Sequence, residues 1–199
     1  MCREWLAASK ANQQPNLELN TSEDYSRDIE ELLWLARRHA AVRQASVSFE
    51  QVKYSWQLLP VVTLCLGQWA GTLQALNLEA GEATSLSFLA GLQQLTTLAV
   101  EATLPEPGFE RLAISRLQKL HCLKWAMYGE KEPGDEAEQQ PLVLPPSLLH
   151  LDIFAAYSLQ TVERQQPALR RLQSLKVDFS DPTPTFLAAI CSLSSLTYL

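Results

Sequence analysis

The sequence predicts an α/β solenoid of about eight irregular units, with a curved parallel β-sheet on the concave side and helices on the convex side. Three observations predict it. First, the stretch Leu89 to Val100, LAGLQQLTTLAV, places leucines at 89, 92, 95 and 98 and then shortens its step to two, reaching Val100. A step of three suits one side of a helix or turn and a step of two suits a strand, so this stretch reads as a convex element running into a strand. Second, the frame recurs: Leu117, Leu120, Leu123 and Trp125 repeat it, as do Leu169, Leu172, Leu175 and Val177, and shorter copies follow Gly71 and the Pro145-Pro146 turn. Third, the residues that open the strands, at 17, 45, 76, 98, 123, 151, 175 and 199, lie 22 to 31 apart with a mean of about 26, room enough for one strand and one return element.

Each element follows from its own residues. Residues 1–20 fit the frame poorly: CREWLAAS suits one or two helical turns, and Leu17 with Leu19 a short strand. Ile29, Leu32, Leu33 and Ala36 then form an i, i+3, i+4, i+7 stripe, with Ser26 or Asp28 available as N-cap and Arg37, Arg38 and His39 at the negative end. Val42, Ala45 and Val47 give the next strand. Leu64-Cys65-Leu66 also resembles a strand, but it lies only twelve residues before Leu76, too close for a full unit. Ser55 to Gln68 is therefore expected to be a helix, capped by Ser55, with Pro60 in its first turn and Gly71 ending it. Leu73 to Leu78 begins the following strand, and Ser85 to Leu92 is a shorter convex element. Leu104 to Gly108 reads as a loop and Phe109 to Leu117 as a helix. Gly129 to Gln140, GEKEPGDEAEQQ, has one apolar residue and reads as a solvated surface loop. Thr183-Pro184 has the form of a cap followed by proline at N1, with Phe186, Leu187, Ile190 and Leu193 behind it. The division expected is an N-terminal capping segment, 1–20, and a repeat domain, 21–199.

Composition narrows the function. At 199 residues, 47% apolar and 19% charged, the chain suits one folded domain, its core a column of leucines. A net charge of −6 and a pI near 5.1 oppose a general nucleic-acid binder, which carries basic patches. Cys2, Cys65, Cys122 and Cys191 show no paired spacing and read as small apolar residues. MCREWLAASK has no secretory h-region, and the longest apolar run, Leu58 to Leu66, is far below the roughly 18 residues a membrane span needs. A cytoplasmic protein without a membrane or nucleic-acid partner is expected, with a nuclear or cytoskeletal/axonemal setting as the alternatives.

No HExxH, GxSxG, GxxxxGK or GxGxxG motif occurs, so no catalysis, cofactor or metal is expected. His121 and His150 approach adjacent strand positions in neighbouring units, and two exposed histidines are the simpler account than a metal pair. In a solenoid, function resides where alternate strand side chains face outward. Counting between the buried positions gives one row, Glu18, Ser46, Asn77, Ala99, Lys124, Asp152 and Lys176, and a second, Asn20, Ser48, Glu79, Glu101, Ala126, Phe154 and Asp178. From these, Asn77, Glu79, Glu101, Lys124, Asp152, Phe154, Lys176 and Asp178 are the candidate contacts for a protein partner, Phe154 as the aromatic anchor.

The segments ELLWLARRHAAVRQASVSF, WAGTLQALNL, LAGLQQLTTLAV, LPPSLLHLDI and LRRLQSLKV resemble the leucine-rich repeat superfamily, specifically the cytoplasmic type found behind F-boxes in plants and green algae. The resemblance covers residues 29–199. It implies a protein-binding solenoid. The Asn or Cys usual after the LxxLxL core is missing: Gly81, Thr103, Tyr128, Ala156 and Ser180 stand there, so the family's buried side-chain ladder is not expected from those positions. MCREWLAAS resembles the last helix of an F-box, in which R-x-W is common. A longer form with the whole F-box would serve substrate recognition in a cullin-RING ubiquitin ligase; without it, no binding to the ligase adaptor is expected. The chain ends within a strand frame and without a polar terminal unit, so further repeats are expected beyond Leu199.

Overall fold

The computed structural model describes residues 16–20, 25–38, 41–48, 55–82, 85–103, 114–128, 142–154, 162–165, 168–177 and 183–198. Among the described residues seven strands, β1 (Asn16–Asn20), β2 (Gln44–Ser48), β3 (Ala75–Glu82), β4 (Thr97–Thr103), β5 (Cys122–Tyr128), β6 (His150–Phe154) and β7 (Ser174–Val177), form one sheet in chain order. All six pairings are parallel. Parallel neighbours consecutive in sequence require a return element between each pair. Helix α1 (Tyr25–Arg38) links β1 to β2, α2 (Ser55–Gln68) links β2 to β3, a 3₁₀ turn (Ser87–Gly91) links β3 to β4, and α3 (Pro184–Cys191) follows β7.

The strand register reproduces the spacing of the leucines. Leu17, Ala45, Leu76, Leu98, Leu123, Leu151 and Leu175 are successive partners across the sheet. An isolated parallel bridge, Ser174 to Tyr198, carries the order one step further. Two positions on, Val47, Leu78, Val100, Trp125 and Ile153 form a second buried column, and three positions before the openers Val42, Leu73, Leu95, Leu120, Leu148 and Leu172 form a third. From β2 onward these columns belong to one continuous apolar core, which also takes Leu32 and Ala36 from α1, Leu59, Val62, Cys65 and Leu66 from α2, and Phe186 and Ala189 from α3. The helices thus lie on one face of the sheet, and among the described residues no helix covers the other.

A repeated backbone contact precedes each strand. The carbonyls of Arg43, Gln74, Thr96, His121, Leu149 and Gln173 each accept two N–H donors, from the two residues that lead into the next strand, at 2.8–3.1 Å. Hydroxyls reinforce the same line. Thr96 and Thr197 donate to the carbonyls of Gln74 and Gln173, while Thr72 and Ser147 donate to those of Val42 and Leu120, at 2.7–3.1 Å. These side chains precede the strands, where the sequence reading had looked for a ladder only after them. The signal was a Ser or Thr two or four residues before an opener.

Several local expectations need correction. Helix α1 starts at Tyr25, so Ser26 and Asp28 fall within its first turn and do not precede it as caps. Likewise Ser55 is the first helical residue of α2, and Pro60 lies inside that helix beyond the first turn. Pro60 is exposed, so its ring costs no packing, although it offers no N–H to the carbonyl one turn earlier. Helix α2 ends at Gln68, and Gly71 sits in the turn that follows with a φ outside the left-handed region. Trp69 N–H bonds the Leu66 carbonyl at 3.1 Å and Leu73 N–H bonds that of Trp69 at 2.8 Å, so the turn closes through ordinary backbone bonds. Leu64-Cys65-Leu66 is helical, as the spacing argument requires. Residues 1–15, 104–113 and 129–141 lie outside the described residues, and with them the F-box-like segment, the Leu104–Gly108 loop, most of the Phe109–Leu117 helix and the acidic stretch.

Candidate functional site

The pleat decides what the open face displays. Because strand side chains alternate between faces, residues one and three places after each buried opener point away from the core. The register makes Glu18, Ser46, Asn77, Ala99, Lys124, Asp152 and Lys176 successive neighbours, and does the same for Asn20, Ser48, Glu79, Glu101, Ala126 and Phe154. Both rows are therefore continuous across the sheet. Asp178, counted with the second row, lies outside the described residues.

Within the rows, polar groups of neighbouring strands meet. Asn77 donates through Nδ2 to Ser46 Oγ at 3.2 Å and to Glu79 Oε1 at 3.4 Å. Lys124 Nζ stands 3.9 Å from Glu101 Oε2, and Lys176 Nζ 3.4 Å from Asp152 Oδ2. All four charged side chains are substantially exposed. Exposed pairs of this kind contribute roughly 0–1 kcal/mol, so they can be exchanged for contacts with a ligand. Phe154 is 42% exposed, a large apolar side chain among these charges.

One member of the predicted rows behaves otherwise. Ala126 is 3% exposed yet stands apart from the leucine core. The register places it between Glu101 and Phe154, two longer residues on the flanking strands. Sequence alternation assigned its face and could not assign its depth.

A third outward row escaped the sequence reading. Gln44, Ala75, Thr97, Cys122, His150, Ser174 and Tyr198 are successive neighbours one place before the openers. Extending the alternation one residue upstream would have found it. It also corrects the histidine geometry: His150 pairs with Cys122, and His121 lies one step earlier, its carbonyl accepting the Leu149 and His150 N–H groups. Among the described residues, no group of three or more His, Cys, Asp or Glu is placed to hold a metal ion. Among them, too, no helix is long and apolar enough to cross a membrane.

Fold and rows together define a leucine-rich parallel solenoid, with no helix on one face of its sheet among the described residues. No protein-family model matches the chain, and no curated protein matches it. Among solved structures, a crystal structure of an internalin from Listeria monocytogenes str. 4b F2365 is similar at 19% identity and a TM-score of 0.48. The similarity covers 79% of this chain, which spans 40% of the length of that one.

Proposed function

We propose that this chain is a non-catalytic binding module that takes a protein ligand on the open face of its sheet, through Asn77, Glu79, Glu101, Lys124, Asp152, Phe154, Lys176 and Asp178. One observation carries this: in-register rows hold exposed polar side chains of both signs around the part-exposed ring of Phe154. An aromatic anchor within a polar surround is the composition of protein interfaces. The hydrogen-bonded sheet fixes strand spacing near 4.8 Å, so the surface is preorganised and little ordering opposes binding. A cytoplasmic setting accords with this role.

The test is affinity capture with the intact chain beside Phe154→Ala and a Lys124→Glu/Lys176→Glu double variant. A protein held by the unaltered chain and lost from both variants supports open-face binding. Equal retention by all three rejects it.

A longer form gives a second reading, the substrate-recognition part of an F-box protein in a cullin-RING ubiquitin ligase. Its support is Arg3 and Trp5 in MCREWLAAS, the R-x-W of the F-box-like segment. Recovery of the ligase adaptor and cullin with an N-terminally extended transcript is the expected result, and their absence from that pull-down counts against it.

A further inference from the structure

We infer that the helix side of the solenoid is a self-association surface: a second copy of this chain lays its α1 antiparallel across α1, with Trp34 near the two-fold axis and Glu30 of each copy facing Arg37 of the other. This surface lies on the opposite side of the sheet from the ligand-binding rows, and neither depends on the other.

Helix α2 has too little polar surface to face water alone. Its sequence, SWQLLPVVTLCLGQ, carries no charged residue, and a helix apolar on every side is normally enclosed by protein. Leu59, Val62, Cys65 and Leu66 fill the core. The side turned away from them holds Pro60, Leu64 and Gly67, at i, i+4 and i+7, and all three are exposed, Leu64 by 58%. A Cβ added at Gly67 would meet nothing within 4 Å, so among the described residues nothing crowds that end of the helix.

Helix α1 carries the pattern that selects the partner. Its described exposed residues are Glu30, Trp34 and Arg37, again at i, i+4 and i+7, with Trp34 42% exposed. Both helices return from one parallel strand to the next and so run in the same direction, and the Cys65 thiol meets the Leu32 carbonyl at 3.6 Å. That contact sets Leu64 within about one 5.4 Å turn of Trp34 along the helix axis, which joins the two into one patch.

An acid and a base seven residues apart, with an aromatic ring between them, form a self-complementary stripe. Turning one copy about an axis midway between positions 30 and 37 exchanges the two, so both Glu–Arg pairs close at once around the Trp34 rings. Parallel docking would set Glu30 against Glu30. An anionic bilayer fits less well, because the stripe is neutral and the chain carries −6, whereas membrane-surface helices are rich in Lys and Arg. Two 14-residue helices, each about 21 Å long and about 10 Å apart, offer a footprint of about 400 Å² per copy, at the low end of specific interfaces. The dimer is therefore expected in the micromolar range.

Sedimentation equilibrium of the intact chain between about 1 and about 200 μM tests this. The expected result is a monomer–dimer equilibrium that Leu64→Glu and Trp34→Glu each weaken about tenfold or more. Glu30→Arg and Arg37→Glu, each alone, set like charges face to face twice and should weaken the dimer about tenfold. Mixed together, those two variants should form a heterodimer as tight as the unaltered dimer, and the double exchange Glu30→Arg/Arg37→Glu should recover the homodimer. Such rescue requires folded partners, so it excludes misfolding as the cause. A chain monomeric throughout, or a dimer indifferent to Leu64→Glu and Trp34→Glu, overturns the surface. Charge variants without effect, or without rescue on mixing, overturn the antiparallel pairing. Binding of the monomeric chain to phosphatidylserine vesicles, lost on Leu64→Glu, would give the face to a membrane and overturn the second copy.

Discussion

Leu120 is fully buried, three places ahead of the opener Leu123, and Leu151 opens β6 with 2% exposure. Truncating either removes a side chain from a column that neighbouring units enclose on both sides. Leu120→Ala and Leu151→Ala should each cost about 2–5 kcal/mol in denaturant unfolding. Lys124→Ala and Lys176→Ala, on the exposed rows, should change stability by less than about 0.5 kcal/mol. Equal and small effects at all four positions would refute the leucine frame. The cysteines divide in the same way. Cys65 is buried, its thiol donates to the Leu32 carbonyl at 3.6 Å, and burial pushes its pKa up, whereas Cys191 is exposed. Alkylation of the folded protein, read by mass spectrometry, should therefore label Cys191 and spare Cys65 until denaturant is added.

Units are also tied together by polar side chains at element ends. Thr183 caps α3 by accepting the Phe186 N–H at 3.1 Å, and Thr183 and Thr185 both donate to Glu163 Oε1, at 2.6 and 2.7 Å. Thr183→Ala should cost about 0.5–2 kcal/mol, and Thr183→Ser should restore most of it. The two hydroxyls, Thr183 first, hold the Glu163 carboxyl below its usual pKa. A lowered carboxylate contributes fully above the ordinary glutamate range, and its contribution is lost as pH falls through the lowered value. Glu163→Gln should thus shallow the acid limb of the stability profile slightly, since the group is partly exposed and screened by solvent. Gln165 makes a second tie: its Nε2 donates to the Leu142 carbonyl and its Oε1 accepts the Leu144 N–H at 2.7 Å. In this way a side chain supplies two bonds that a paired strand would otherwise make. Gln165→Leu removes both of these bonds and should lower stability by about 1–3 kcal/mol in the same unfolding assay.

At the scale of the whole molecule the sheet is a one-dimensional array, in which each described strand is bonded to its neighbours in sequence. Cooperativity in such an array passes from unit to unit, and interior units are held from both sides. Backbone amides of β3, β4 and β5 should exchange with solvent most slowly, and those of β1 fastest, as measured by hydrogen exchange. Uniform protection across the sheet would contradict nearest-neighbour stabilisation. The leucine spacing by itself determined the order of strands, their parallel register and the face each residue takes. That was legible because two local periods, three and two, recur in one chain and because a one-residue slip would expose the whole core. Only the tertiary structure decided that Ala126 is covered, that His150 lies beside Cys122, that Lys124 reaches Glu101, and that threonines ahead of the strands reinforce the carbonyl line. Those facts depend on side-chain length and on contacts between units more than twenty residues apart, and a repeat period carries neither.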